Sequence, residues 1–214
     1  MSRRTLVIAI TAVAVIGFSA AAFYYNRATT PVQVTAPVQD SSALVRFNAP
    51  SFGPAKASVT VVEFFDPSCE SCRAFYPIVK QMMAKHPNDI RLVLRYVPLH
   101  VGSEQAIRLL ETARKQGVYP QVLEAVLESQ PQWHDDANAT AAWTAAIQAG
   151  LDEAKAREIL MSAEITATIA RDAADAKTLG VSRTPSFFVN GKPLTNFGAQ
   201  PLYDLIRSEM STPR

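Results

Sequence analysis

Residues 58–85 read SVTVVEFFDPSCESCRAFYPIVKQMMAK and change pattern once, at the DPS tripeptide of residues 66–68. Residues 58–65 are β-branched and aromatic and largely apolar on both faces, which is typical of a central, buried strand. From residue 69 to residue 85 the apolar side chains recur at helical spacing. The stretch therefore predicts a buried strand that runs directly into a helix, with both cysteines of the chain at the junction.

The rest of the chain continues to alternate between strand and helix patterns. Residues 90–97 form the next predicted strand, so we expect a parallel pair joined by a right-handed helical crossover. Residues 102–180 read almost entirely as helix. Four further elements are predicted, a short first strand over 43–47, a strand over 186–189, a type I′ turn at 190–191 and a terminal helix over 201–210. The order βαβ, helical insert, ββα predicts an α/β fold with a small mixed sheet and an inserted all-helical domain.

Composition and cysteine usage narrow the class of protein. The 214 residues are 48% hydrophobic and 19% charged, which is typical of a globular chain with a real core. The net charge of +2 and the absence of a basic block argue against a nucleic-acid partner. The two cysteines lie three positions apart, and so short a loop removes little unfolded-state entropy. A disulfide between them would therefore serve redox chemistry rather than stabilise the fold.

The N-terminus carries an export pattern. Arg3 and Arg4 precede an uncharged, mostly apolar run, and residues 5–25 as a helix would be long enough to cross a bilayer. Because positive charge marks the cytoplasmic side, residues 1–4 are expected in the cytoplasm and the body of the protein outside it. A cleaved signal peptide with a small-residue site at 20–22 is the competing interpretation; we favour the anchor, since apolar residues continue past that site.

Domain boundaries follow from the export segment. Residues 26–43 contain two prolines among Thr, Gln and Ser and sustain no apolar period, which predicts an extended linker. This linker is too short and polar for a coiled coil, so we expect a monomer. The globular domain is expected over residues 44–213, with its helical insertion at about 102–180.

The pair Cys69 and Cys72 stands where a strand ends and a helix begins, and this context indicates redox chemistry. At a helix N-terminus the backbone N–H groups and the macrodipole favour an anion, so a thiolate there has a lowered pKa. Cys69, nearer the tip, is expected to be exposed and to attack first. Cys72, one turn inside, is expected to be shielded and to resolve the mixed disulfide.

Metal and haem sites are the alternatives for a CxxC motif. A zinc site needs two further ligands, but His86, His100 and His134 each stand alone and no second CxxC occurs. Haem attachment needs a histidine after the second cysteine, where this chain has Arg73. We therefore predict neither a metal ion nor another cofactor.

Glu63 lies in the middle of the apolar strand, six positions before Cys69. A carboxylate there is costly unless it is functional or partnered. It could relay protons for Cys72 as a disulfide opens and closes. Alternatively, it could sit at a sheet edge or pair with a nearby base such as Lys192, and the residues alone leave both interpretations open.

Several segments, in this order, resemble the DsbA-like branch of the thioredoxin superfamily. The matching segments are Glu63-Phe64-Phe65 before Cys69-x-x-Cys72, Arg95 to His100 after the second strand, and Leu179 to Val181 followed by Thr184 to Gly191. The resemblance covers about residues 44–210 and implies a thioredoxin fold whose helices interrupt the sheet. CxxC followed by Thr-Pro, a strand and Asn-Gly is a specific combination.

The resemblance implies roles for five residues. Cys69 would be the nucleophile, Cys72 the resolving thiol and Glu63 the buried acid below the disulfide. Pro185 would be the cis-proline beside the disulfide, and the backbone of Thr184 would pair with a bound substrate strand.

One part of the motif departs from the family pattern. Glu70 and Ser71 are neither the Pro-His of the strongest oxidases nor the Gly-Pro of cytosolic reductases. A negative charge on Glu70 near the Cys69 sulfur would oppose the thiolate. We therefore predict a less acidic Cys69 and a less oxidising disulfide than in a strong oxidase.

The resemblance implies an enzyme of the bacterial cell envelope that exchanges disulfides with exported, cysteine-containing proteins. A membrane redox partner would regenerate it, and an N-terminal anchor would hold it near that partner in the inner membrane. A dedicated reductant for one client is a narrower version of this function. A metal-binding or chaperone module on the same scaffold is the alternative from a different class.

Overall fold

A five-stranded mixed sheet forms the centre of the computed structural model, which describes Gly17 and residues 41–211. The strands are β1 (Ser51–Phe52), β2 (Val59–Phe65), β3 (Ile90–Tyr96), β4 (Ser186–Val189) and β5 (Lys192–Pro193). The helices are α1 (Glu70–Lys85), α2 (Ser103–Lys115), α3 (Tyr119–Glu128), α4 (Thr140–Gln148), α5 (Glu153–Ile159), α6 (Ala163–Thr178) and α7 (Ala199–Met210). Short 3-10 turns cover Ser41–Ala43 and Gln130–Gln132.

The strand β2 lies at the middle of the sheet, whose order is β1-β3-β2-β4-β5. It pairs in parallel with β3 across the α1 crossover and antiparallel with β4. Its two edges are paired with β3 and β4, and its two faces are covered by separate hydrophobic layers, so β2 is buried as its continuous apolar sequence predicted. The predicted mixed sheet and its helical insert, α2 to α6 between β3 and β4, are confirmed.

Alternation along β2 assigns each side chain to one of two layers. Val59, Val61 and Phe65 pack with Val79 of α1 and with the helical insert. Val62 and Phe64 face the opposite layer, where Ala176 of α6 and Leu179 pack against them. The first layer contains both cysteines, so the position of Glu63 between Val61 and Phe65 directs its carboxyl toward them.

The prediction of a strand over residues 43–47 is wrong. This segment begins at the last residue of a 3-10 turn and continues as turns and irregular backbone, and the edge strand β1 lies farther along the chain at Ser51–Phe52. The carbonyl oxygens of Ala43 and Leu44 accept hydrogen bonds from the guanidinium of Arg95, at 2.6 and 2.8 Å. A buried side chain thus occupies the acceptors that a sheet ladder would have needed.

Arg95 is the centre of a buried ion cluster that the sequence did not predict. Its guanidinium donates to Asp172 and Asp175 of α6, and Asp175 also accepts from Arg46. The second carboxylate oxygen of Asp172 accepts from the backbone N–H of Tyr96 at 2.9 Å. The cluster therefore ties the segment before β1 and the helix α6 to β3.

The predicted anchor at residues 5–25, apart from Gly17, and the predicted linker at 26–43, up to residue 40, lie outside the described residues. No helix among the described residues combines the length and apolarity needed to cross a membrane.

Replacing Arg95 should be much more costly than replacing a surface arginine on the same strand. Arg95→Met leaves two buried carboxylates and two carbonyls without their donor, so we expect a loss of about 3–5 kcal/mol in the free energy of unfolding. Arg91→Met, at a half-exposed position of β3, should cost less than about 1 kcal/mol. Urea unfolding of both variants measures the difference, and equal losses would contradict the role of the cluster.

Candidate active site

Cys69 is the N-cap residue of α1, in an extended backbone conformation. Its thiol donates to the carbonyl oxygen of Thr184 at 3.3 Å, and both cysteines are free thiols. Only 6% of Cys69 is exposed, so the prediction of an exposed Cys69 is wrong. The segment before β4 lies against the sulfur and covers it. Cys69 is nevertheless the outer cysteine of the pair, since Cys72 is fully buried.

The surroundings of Cys69 stabilise its thiolate. A hydrogen bond from the Cys72 thiol has the largest effect, and it outweighs the opposing cost of burial. The side chain of Thr184 and the backbone N–H groups of Cys72 and Ser71 add to it, so the pKa of Cys69 falls from 9.0 to about 5. The helix start thus acts as the anion site that the sequence predicted.

Cys72 has the opposite environment. Burial raises the pKa of its thiol far above the ordinary value, and hydrogen bonding to Cys69 and the charges of Glu63 and Cys69 raise it further. The backbone N–H of Asp66 donates to its sulfur at 3.5 Å. At neutral pH the site therefore holds one thiolate, on Cys69, and one thiol, on Cys72.

Glu63 is buried in the central strand and close enough to both cysteines for their charges to interact. Burial, and secondly the Cys69 charge, raise its pKa from 4.5 to about 8. Among the described residues, its Oε1 atom has no hydrogen-bond partner. The alternative of an edge position or a pair with Lys192 is wrong, because β2 is central and Lys192 binds Glu209 at 2.6 Å.

Thr184 and Pro185 lie directly beside the cysteines, as the resemblance implied. The peptide bond between them is cis, and the Thr184 carbonyl contacts the Cys69 sulfur. The structure thus brings together all five residues singled out in the sequence, from β2, the start of α1 and the segment before β4.

Asp66 and Gln130 are two site residues that the sequence did not reveal. The buried carboxylate of Asp66 accepts from the backbone N–H groups of Ser68 and Leu99 and contacts the His100 ring at 2.7 Å. An Asp directly after a strand and before a helix start was the available signal for a local turn. Gln130 had none, since it lies in the helical insert.

Within residues 41–211, no group of three or more His, Cys, Asp or Glu side chains is arranged to hold a metal ion. The two sulfurs and the Glu63 carboxyl share one buried layer, and the side chains of Asp66 and Gln130 bind the turn before Cys69.

The similarity to known proteins lies in the globular part of the chain. The family model described as Thioredoxin matches residues 48–206. A thioredoxin-like oxidoreductase from Silicibacter pomeroyi DSS-3 is 33% identical, with 82% of this chain and 100% of that chain covered and a TM-score of 0.72. The thiol:disulfide interchange protein DsbA of Bordetella parapertussis is 25% identical over 79% of this chain and 81% of its own length.

Antiporters also contain a similar region. The Na(+)/H(+) antiporter NhaA 3 of Salinispora tropica is 32% identical over 65% of this chain, which spans only 21% of that protein. The similarity there concerns one part of a longer chain. The family match and the DsbA relatives confirm the DsbA-like interpretation of the sequence, and the chain belongs to the thioredoxin family.

Proposed function

We propose that the protein is a thiol–disulfide oxidoreductase that exchanges disulfides with exported proteins through Cys69 and Cys72. One observation carries the proposal: two neighbouring cysteines have pKa values shifted in opposite directions, beside a buried carboxyl. A structural disulfide does not require such a division, whereas an exchange reaction needs one thiolate that attacks and one thiol held in reserve.

In the reducing direction, the Cys69 thiolate attacks one sulfur of a client disulfide. A bond forms between Cys69 and the client, the client S–S bond breaks, and the leaving client sulfur takes a proton from solvent. Cys72 then gives up its proton and attacks the Cys69 sulfur, which releases the second client sulfur as a thiol. The client gains two electrons, and the Cys69–Cys72 pair loses them.

The oxidising direction is the same sequence reversed. A client thiolate attacks the Cys69 sulfur of the disulfide, and Cys72 leaves as a thiolate that must be protonated. Glu63 is the residue we assign to this proton, because it lies in the same buried layer and its raised pKa allows it to hold a proton near neutral pH.

Client binding is assigned to the surface beside the two cysteines. The backbone of Thr184, next to the Cys69 sulfur, would pair with an extended client segment. Leu99 and Val101 are about half exposed, and the Val101 carbonyl accepts from the Ser68 hydroxyl beside Cys69. An apolar rim at this place suits unfolded chains rather than one folded partner.

The cellular setting is also part of the proposal. The apolar run at residues 5–25 supports an inner-membrane anchor, with a monomeric catalytic domain on the extracytoplasmic side. A membrane redox partner would then reset the cysteine pair after each exchange.

Removing the resolving thiol should trap the reaction intermediate. The Cys72→Ser variant keeps the Cys69 nucleophile but cannot release a bound client, so it should accumulate mixed disulfides with a disulfide-containing substrate. Non-reducing electrophoresis followed by mass spectrometry measures them, with Cys69→Ser as the matched control that should form almost none. A Cys72→Ser chain that forms no adduct, and instead loses affinity for a metal ion, would contradict the exchange function.

The proton role of Glu63 predicts a pH-dependent stability in the reduced protein. Its pKa is about 8 when folded and near 4.5 when unfolded, so folding is favoured below pH 4.5 and that advantage is lost as the pH rises to about 8. Glu63→Gln cannot ionise and should become more stable than wild type across this window, by up to roughly 5 kcal/mol.

Urea unfolding at several pH values between 4 and 9 measures this difference, with reductant present throughout. Glu158→Gln, at an exposed position of α5, is the control and should follow the wild-type curve. If the stability difference between wild type and Glu63→Gln stays constant over this pH range, Glu63 does not hold a proton in the folded chain.

A further inference from the structure

Gln130 connects the helical insert to the start of the cysteine helix. It lies in the 3-10 turn after α3, 61 positions from Cys69, and is fully buried. Its amide nitrogen donates to the carbonyl oxygens of Pro67 and Cys69, at 2.7 and 3.0 Å. Its amide oxygen accepts from the Arg73 guanidinium at 2.9 Å. Both amide protons and the oxygen are thus bound, all to residues around the cysteines.

The carbonyl of Cys69 is the first acceptor of α1. It receives the backbone N–H of Arg73 at 3.1 Å, and Gln130 uses its second lone pair. Within the described part of the chain, the N-cap Cys69 makes no side-chain capping bond of its own. The orientation of the Cys69 peptide therefore depends on groups outside the helix. Gln130 binds the carbonyl of Cys69 and that of Pro67, two residues earlier.

That orientation determines where the first N–H groups of the helix point. The N–H groups of Ser71 and Cys72 help to lower the pKa of Cys69 without forming a full capping hydrogen bond to its sulfur, and this effect depends on the extended conformation of Cys69 at the helix start. On the other side, the Ser68 hydroxyl is bound to Val101. The turn before Cys69 is thus held from outside the sheet, and the amide of Gln130 provides two of its hydrogen bonds.

We propose that Gln130 is a positioning residue for the exchange reaction: its amide fixes the Pro67 and Cys69 carbonyls so that the helix start presents its N–H groups to the Cys69 sulfur. This inference rests on the proposed function, since it concerns the reactivity of the same sulfur. It also gives the helical insert a part in the chemistry, beyond covering the site.

The test is the thiolate titration of Cys69 in the full, reduced chain, followed by ultraviolet absorbance and by the pH profile of alkylation. Gln130→Met keeps the length and volume of the side chain but removes all three hydrogen bonds. We expect the pKa of Cys69 to rise by about 0.5–1 pH unit, because the N–H groups lose their alignment with the sulfur. Gln132→Met, at an exposed position of the same turn, is the matched control and should leave the titration unchanged.

Folding is measured separately, by circular dichroism and thermal unfolding. A folded Gln130→Met chain whose Cys69 titrates as in wild type would overturn the proposal, even if its melting temperature falls, because a merely structural role predicts that pattern. An equal rise in Gln132→Met would overturn it as well.

If Gln130→Met does not fold, a second variant and a measurement on the wild-type chain test the proposal instead. Gln130→Asn keeps a polar amide that is one methylene too short, and it should shift the titration in the same direction. In wild type, the side-chain amide NMR signals of Gln130 should move with the titration of Cys69, and signals that do not respond would refute the contact. If wild-type Cys69 itself shows no lowered pKa, the proposed function fails first, whatever Gln130 does.

Discussion

The structure depends on holding a negative charge on one sulfur at a position almost closed to water. Cys69 is 6% exposed, and burial alone would keep it protonated. Hydrogen bonds from the Cys72 thiol and from the first backbone N–H groups of α1 reverse that tendency. They can do so only because a buried strand ends directly before the helix, which is why the sequence of residues 58–85 determines both the fold and the chemistry.

The same layer contains a second group in an unfavourable position. Glu63 lies among apolar side chains, and its carboxyl keeps its proton because ionisation there is costly. The buried carboxyl lowers the stability of the fold, but it places a proton donor and acceptor beside Cys72. A thiolate, a thiol and a protonated acid within one buried layer are three protonation states set by the environment. An apolar residue in place of Glu63 would remove that cost and also the proton.

The parts of the fold that the sequence revealed are those that depend on neighbours along the chain. The strand β2, the cysteine helix and the Asn190-Gly191 turn follow from local patterns and were predicted nearly to the residue. The segment 43–47 was wrongly predicted as a strand, because its backbone acceptors are used by Arg95, a residue about fifty positions away. No local pattern encodes that contact.

The residues of the site also differ in how far the sequence alone revealed them. Cys69 and Cys72 were recognisable from spacing and context, whereas Thr184 and Pro185 received roles only through the resemblance to a family, which also favoured one of the two interpretations of Glu63. Gln130 was missed because a glutamine in a helical segment is ordinarily a surface residue. Its contribution depends on tertiary packing that brings the insert onto the turn before the cysteines.

The reduction potential of the Cys69–Cys72 pair tests the central claim most directly. Equilibration of the protein in glutathione redox buffers, with the disulfide quantified by alkylation and mass spectrometry, gives this value. The account predicts a reversible two-electron transition at a potential more negative than the about −120 mV of the strongest oxidases, toward the about −270 mV of thioredoxin. A pair that forms no disulfide at any buffer ratio, or one at least as oxidising as about −120 mV, would contradict it.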